Sequence, residues 1–402
     1  MRYNALKFIM GAFTMVVNRI ISSAVAGLAA VVIGFASSIA LIYQLVINLG
    51  GDASLASSWL LSLGLAIGIT SIALSLYYRI PILTAWSTPG AALLIADAQN
   101  FSLNEAVAGF MFSALLIFLS GITGWFEKLI NKIPFQLASA MLAGILVNFG
   151  IDVFNHMNQE PILVGVMFLT YLIAKQLAPK FTILFVLLLS GVMAWQLNLI
   201  GVSDFSWEIS EFTYISPEFN LKAILGVGVP LFIVTMAAQN LPGIAVLRAH
   251  NYKTPVSSIL SVTGLINLIA APFGGYGLNL AAITAAICMT EDVDKKPENR
   301  YWAAISGGVF YIVMALSASY LMNVFSILPT ALIFALAGIA LFTTITNSIK
   351  QALTDNKVSE AAMITFLVTA SNLTLLNINS VLLGLIAGCL VMAVQRAFKK
   401  MR

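Results

Sequence analysis

Charge is scarce in this chain: Asp, Glu, Lys and Arg make up 9% of its 402 residues, against 60% hydrophobic. So few polar groups cannot cover a water-facing surface of ordinary size, which excludes a soluble protein. Cysteine is nearly absent as well. Cys288 and Cys389 both lie inside apolar segments and read as small core residues, leaving no disulfide framework, metal cluster or redox chemistry to expect. With two histidines and no grouping of His, Cys or acids inside the apolar segments, the chain also lacks the nucleophile-and-base or metal constellation of an intramembrane enzyme. No catalytic residue, cofactor or metal is therefore expected. The first apolar segment is too long for a signal-peptide core and reads as a transmembrane helix.

What the chain has instead is long apolar runs. Segments of roughly 17 to 25 residues, the length a helix needs to cross about 30 Å of hydrocarbon, recur from end to end and mark a polytopic all-α membrane protein. Polar punctuation divides them into fourteen spans near 20–48, 54–77, 82–97, 104–126, 134–154, 161–177, 181–200, 222–247, 255–271, 275–289, 301–323, 328–348, 358–375 and 379–397. With both termini cytoplasmic, every one of the 20 Lys and Arg residues except Lys222 falls on the inside, as the retention of positive loops requires. Adding or dropping a span would reverse the sidedness of everything after it, so the charge pattern supports the count. The net charge of +4 then reflects topology and implies no nucleic-acid partner. Acids gather outside, at Asp52, Asp97, Glu105, Asp152 and Glu160 and in the connector 201–221.

That connector contains "SDFSWEISEFTYISPEFN" and divides the spans seven and seven, into residues 1–200 and 222–402. An odd number of spans per half makes the second half enter from the opposite side, an inverted repeat. The third span of each half, 82–97 and 275–289, is short and opens on Gly and Pro. Such breaks in matching positions point to a midplane site. Each is expected to be an extended lead-in, "ILTAWS" and "PFGGYG", followed by a half-helix, "TPGAALLIA" and "LNLAAITAA". Entering from opposite sides, the half-helices would aim their positive N-terminal ends at one cavity, whose natural occupant is an anion.

The segments "YRIPILTAWSTPGAALL", "TMAAQNLPGIAVL" and "PFGGYGLNLAAITAAIC" resemble the signature segments of the BenE-type benzoate/proton symporters of bacterial inner membranes, and the similarity runs the whole chain. That family in turn resembles the nucleobase-ascorbate, sulfate-permease and bicarbonate transporters. The resemblance implies a core domain of about 20–126 plus 222–323 and a gate domain of about 134–200 plus 328–397, sliding past each other. It implies uptake of benzoate or a similar aromatic carboxylate with protons across the inner membrane. The expected partners are that acid, protons and lipid; a homodimer is left open. One departure matters. Where nucleobase members carry acids, this chain reads Gln239-Asn240 and Leu278-Asn279, which suits a substrate that brings its own negative charge.

The substrate-binding candidates follow from these segments. Ser87 is placed to cap the first half-helix, which Thr88, Pro89 and Gly90 open. Gly275 and Gly277 would admit the substrate to backbone N–H groups, with Tyr276 as a stacking surface or as an aromatic packed between helices. Gln239 and Asn240 are amides in an apolar span, facing either the cavity or another helix. Leu278 and Asn279 open the second half-helix, and Phe35, Ser37 and Ser38 in span 1 complete the set, Phe35 as the partner for a ring. Asp97 is the acid placed to relay a proton. Open alternatives are a carrier or a channel of the same fold for another small anion or a nucleobase-like substrate.

Overall fold

The computed structural model describes residues 2–125, 135–201, 209–371, 373, 375 and 380–401. Lys128, Lys132 and the connector's residues 202–208 lie outside them. Among the described residues, eight helices are long and apolar enough to cross a bilayer, including Arg19–Asn48, Ala53–Tyr78, Phe135–Met157 and Thr330–Ala352. The stretch read as one span at 301–323 is a pair of helices, Pro297–Leu316 and Ala318–Ser326, bent by 59°, which makes a ninth when the pair is counted as one span. Pro161–Leu177, Thr182–Gln196 and Ser359–Ala370 are shorter and apolar.

The long helices pack in pairs drawn from the two halves of the chain. Phe135–Met157 lies along Thr330–Ala352, Ala53–Tyr78 along Tyr301–Leu316, and Leu103–Thr123 along Val256–Ala270. In lipid no hydrophobic drive brings helices together, so close approach depends on small residues. Gly68 and Gly308 show this, because a Cβ added to either would come within 2.7 or 2.8 Å of the other's carbonyl oxygen. Gly384 and Gly388 make the same kind of notch against Thr369 and Thr365. Cys389 is exposed, whereas Cys288 is buried as expected.

The break in the first half falls where the sequence puts it. Ser87 is the N-cap of Thr88–Asp97 and accepts a hydrogen bond from the Gly90 N–H at 3.0 Å. In the second half the helix starts later than expected. Leu278 to Leu280 are extended, and the helix Ile283–Cys288 begins after them without a side-chain cap. The reason is pairing: Asn279–Leu280 (β2) runs antiparallel to Thr84–Ala85 (β1), the only strand pair among the described residues. Two lead-ins that cross in the protein interior satisfy each other's backbone, as irregular chain at that depth must.

The connector residues 209–220 are held by short polar contacts. Thr213 N–H donates to Ser58 Oγ at 2.8 Å, Ser57 to Ser210 at 2.9 Å, and Ile215 N–H to the Pro272 carbonyl at 2.8 Å. Lys222, the one basic residue assigned outside, stands 3.7 Å from Glu105, which is assigned to the same side.

Candidate functional site

The crossing of β1 and β2 borders a cavity of about 660 Å³. Thr88 and Pro89 reach it from the start of the first half-helix, and Thr284 from the start of the second, with Ala281 and Ala282 just ahead of that helix. In the first turn of Thr88–Asp97, the Gly90 N–H is bonded to Ser87 Oγ and the Ala91 N–H to the Ser87 carbonyl. Pro89 has no N–H. That of Thr88, a residue of the cavity lining, makes no hydrogen bond among the described residues, which leaves one backbone donor at the positive end of the helix. Beside it, the Ser38 and Thr88 hydroxyls are 3.0 Å apart.

The opposite chemistry lies adjacent. Trp86 and Tyr311 line the cavity, and their rings meet edge to face with centroids 5.9 Å apart. Phe35 packs against both, at 5.1 Å from Trp86 and 5.7 Å from Tyr311, and is 3% exposed. It backs the aromatic wall and does not itself line the cavity. No Asp or Glu is among the described lining residues; the charged group there is Lys350.

A π-helical turn, Met236–Asn240, sorts the two amides. Gln239 lines the cavity, while Asn240 is fully buried and accepts from the Leu280 N–H at 3.0 Å. Neighbours on a helix point about 100° apart, so one residue addresses the ligand space and the next holds the crossing. π-turns inside helices are often found at such places.

Of the candidates, Ser38, Thr88, Pro89 and Gln239 therefore line one cavity. Ser87 and Gly90 lie just behind, in the cap. Asn279 and Leu278 belong to the crossing itself: Asn279 Nδ2 donates to the Gly277 carbonyl at 2.6 Å, and the Leu278 N–H donates to Asn267 Oδ1 at 3.3 Å. Gly277 has φ +57°, and a Cβ there would stand 2.7 Å from Ser87 Cβ, so it lets the two lead-ins touch. Gly275 and Tyr276 are farther off. Tyr276 is fully buried between Trp59 and Phe110, with ring centroids at 6.3 and 5.7 Å. Asp97 sits half-buried at the far end of Thr88–Asp97, outside the cavity lining. The side chain of Ser37 lies outside the described residues.

The cavity is also lined by Trp86, Tyr311 and a polar face of Thr330–Ala352, with Thr344, Asn347, Ser348 and Gln351, none of which the breaks in the chain single out. The signal for that face was present. Polar residues at helical spacing inside an apolar span mark a face turned from lipid.

Comparison with known proteins agrees with this architecture. The transmembrane domain of a cyanobacterial bicarbonate transporter, BicA, superposes with a TM-score of 0.61 at 15% identity, over 91% of this chain and 96% of that one. SLC26A9 gives 0.62 at 11% identity, over 93% of this chain and 65% of that one. At these identities the likeness shows the fold. In sequence, the chain is 44% identical over 363 residues to the inner membrane protein YdcO of Escherichia coli, covering 90% of this chain and 93% of that protein. It is 36% identical over 370 residues to the benzoate membrane transport protein of Acinetobacter baylyi, covering 92% and 94%. The model of the BenE family, benzoate membrane transport protein, matches residues 18–394. With that match along nearly its whole length, the chain is a membrane transporter of the benzoate membrane transport (BenE) family.

Proposed function

We propose that this protein imports benzoate or a similar aromatic carboxylate together with protons. The cavity wall carries the reading: an aromatic pair, Trp86 and Tyr311, stands beside the Ser38–Thr88 hydroxyls and a helix N-terminus, with no carboxylate among the described lining residues. A ring contact contributes about 0.5–1.5 kcal/mol beyond burial, a helix N-terminus up to about 2 kcal/mol, and a hydrogen bond to a charged group about 1.5–3 kcal/mol. Micromolar affinity needs about 8 kcal/mol. Even their upper values together give about 6.5 kcal/mol, so burial of the ring, about 1.5–3 kcal/mol more, is needed as well, and the site favours molecules that carry ring and carboxylate together.

The residues assigned to substrate are Ser38, Thr88, Pro89 and Gln239, with Trp86 and Tyr311 for the ring; Ser87, Gly90, Asn240, Gly277 and Asn279 hold them in place. The finer architecture is fourteen segments in two inverted sets of seven, with N- and C-termini cytoplasmic. It is supported by the membrane-length helices, the bent pair, the three shorter apolar helices and the two half-helices, which together make fourteen. The helix pairs across the halves support it too, since second with eleventh and fourth with ninth are exchanged by the repeat. The helices packed around Phe135–Met157 and Thr330–Ala352 form the gate, and those around the crossing form the core that slides against it.

Coupling follows from charge. Moving one anion inward against 100 mV costs about 2.3 kcal/mol, so accumulation needs a compensating proton, carried on the substrate or relayed by Asp97. Proteoliposomes with labelled benzoate, with and without an imposed pH gradient, test this. The expected result is saturable uptake that the gradient drives above equilibrium. Uptake that never saturates, or that ignores the gradient, overturns the reading. Asp97→Asn separates the routes: exchange without accumulation assigns the relay to Asp97, and full accumulation puts the proton on the substrate.

A further inference from the structure

One face of the helix Thr330–Ala352 runs the length of the cavity. Leu341 is buried, Thr344 half-buried, and Asn347, Lys350 and Gln351 exposed, with Thr354 exposed just past the helix end. Apart from Ser348, which also lines the cavity and is buried, exposure rises along this face in steps of three to four residues, which locates the mouth at the Lys350 end. Lys350 is the one charged group among the described lining residues, and it makes no ion pair among them. The acids next along the chain accept hydrogen bonds from other groups: Asp355 from the Lys357 N–H at 2.9 Å, and Glu360 from Gln395 at 2.7 Å.

We propose that Lys350 is the collecting charge of the cavity's inner mouth, on the side that the loop charges assign to the cytoplasm, where it draws carboxylates back into the pathway for rebinding and exchange, Thr344 and Asn347 lying between it and the crossing. The inference rests on the aromatic-carboxylate reading above. Nine residues separate Lys350 from Leu341, about 13 Å of helix at 1.5 Å per residue, and the Debye length is about 10 Å at 0.1 M salt. Lys350 therefore acts on the approaching anion and hardly on the bound one. A cleft of low-dielectric walls focuses such a charge, and steering of this kind raises association rates by about tenfold or more at low salt. Its signature is an on-rate effect that salt abolishes, leaving the off-rate alone.

The experiment is benzoate binding to the full-length protein in nanodiscs, followed by stopped-flow tryptophan fluorescence across a salt series. At low ionic strength Lys350→Gln is expected to slow association about 3- to 10-fold, Lys350→Glu further, and Lys350→Arg hardly at all, with off-rates unchanged. At about 1 M salt, where the Debye length is about 3 Å, all four proteins should converge. Equal on-rates for wild type and Lys350→Gln at low salt overturn the inference, as does a loss that Lys350→Arg shares or that high salt leaves in place. A folded wild type that binds no benzoate overturns the substrate reading, and this inference with it.

Discussion

The two broken segments occupy equivalent places, yet they are held in opposite ways. The first is nearly self-sufficient: Ser87 caps its own helix, and its lead-in is bonded to hydroxyls of the preceding helix, Ile82 N–H to Ser75 and Thr84 N–H to Ser71 at 3.1 and 3.0 Å. The second has a helix of six residues with no cap, and its lead-in is held by amides from two other helices, Asn240 on Leu280 and Asn267 on Leu278. One segment presents a helix end to the cavity; the other is a backbone strut held from outside.

If that division is right, damage to the strut should spread farther than damage to the capped helix. Gly277→Val is expected to have the largest effect. A side chain at φ +57° costs about 1–2 kcal/mol, and its Cβ would meet Ser87. Benzoate transport should vanish and the melting temperature fall. Gly90→Val should cost less stability, because Gly90 lies in a helix without a positive φ and the nearest atom its Cβ would meet is the movable end of Leu231, although Ser87 is also close; a larger loss at Gly90 would break the comparison.

Next in size is Gln239→Glu, which places an acid beside the substrate carboxylate. The neutral acid is tolerated, so binding should persist at low pH and fall more than tenfold as the pH rises and the new group ionises. Affinity unchanged at pH 8 would remove Gln239 from the substrate's surroundings.

Third, Asn240→Ala leaves the buried Leu280 N–H without its partner, a loss of about 1–3 kcal/mol. Ser87→Ala removes a cap, about 1 kcal/mol. Thermal unfolding of the two variants side by side should rank Asn240→Ala as the less stable. The smallest effect is expected from Ser38→Ala, which removes the contact with Thr88 Oγ1; a net hydrogen bond of about 1 kcal/mol corresponds to a few-fold rise in the half-saturation for benzoate.

Much of this was legible in the residues. Apolar length and loop charge announce the membrane, and the Pro-Gly break after Ser87 marks the first half-helix because capping is local chemistry. The second half-helix starts later than "LNLAAITAA" suggests, since that segment is rich in Ala and Leu; what makes Asn279 and Leu280 extended is a partner at Thr84 and Ala85, which no local pattern reveals. The sequence leaves both Tyr276 and Gln239 open between the cavity and a neighbouring helix, and only packing sends one between Trp59 and Phe110 and the other to the cavity. Tyr311 carried no local sign, since its role depends on lying opposite Trp86.

The strand pair also sets a timetable for synthesis. Thr84 and its partner Leu280 are 280 minus 84, or 196, residues apart, and at about 5–20 residues per second the ribosome needs roughly 10–40 s to deliver the second after the first. Through that interval the first lead-in must rest in the bilayer with half its ladder missing. Ser71 and Ser75 lie on the helix Ala53–Tyr78, made just before it, and hold Thr84 and Ile82 from the start. Those hydroxyls act as a waiting berth for the nascent chain. The second lead-in needs none, because Asn240, Asn267 and the Leu83 carbonyl that receives the Ala281 N–H are already in place when it emerges.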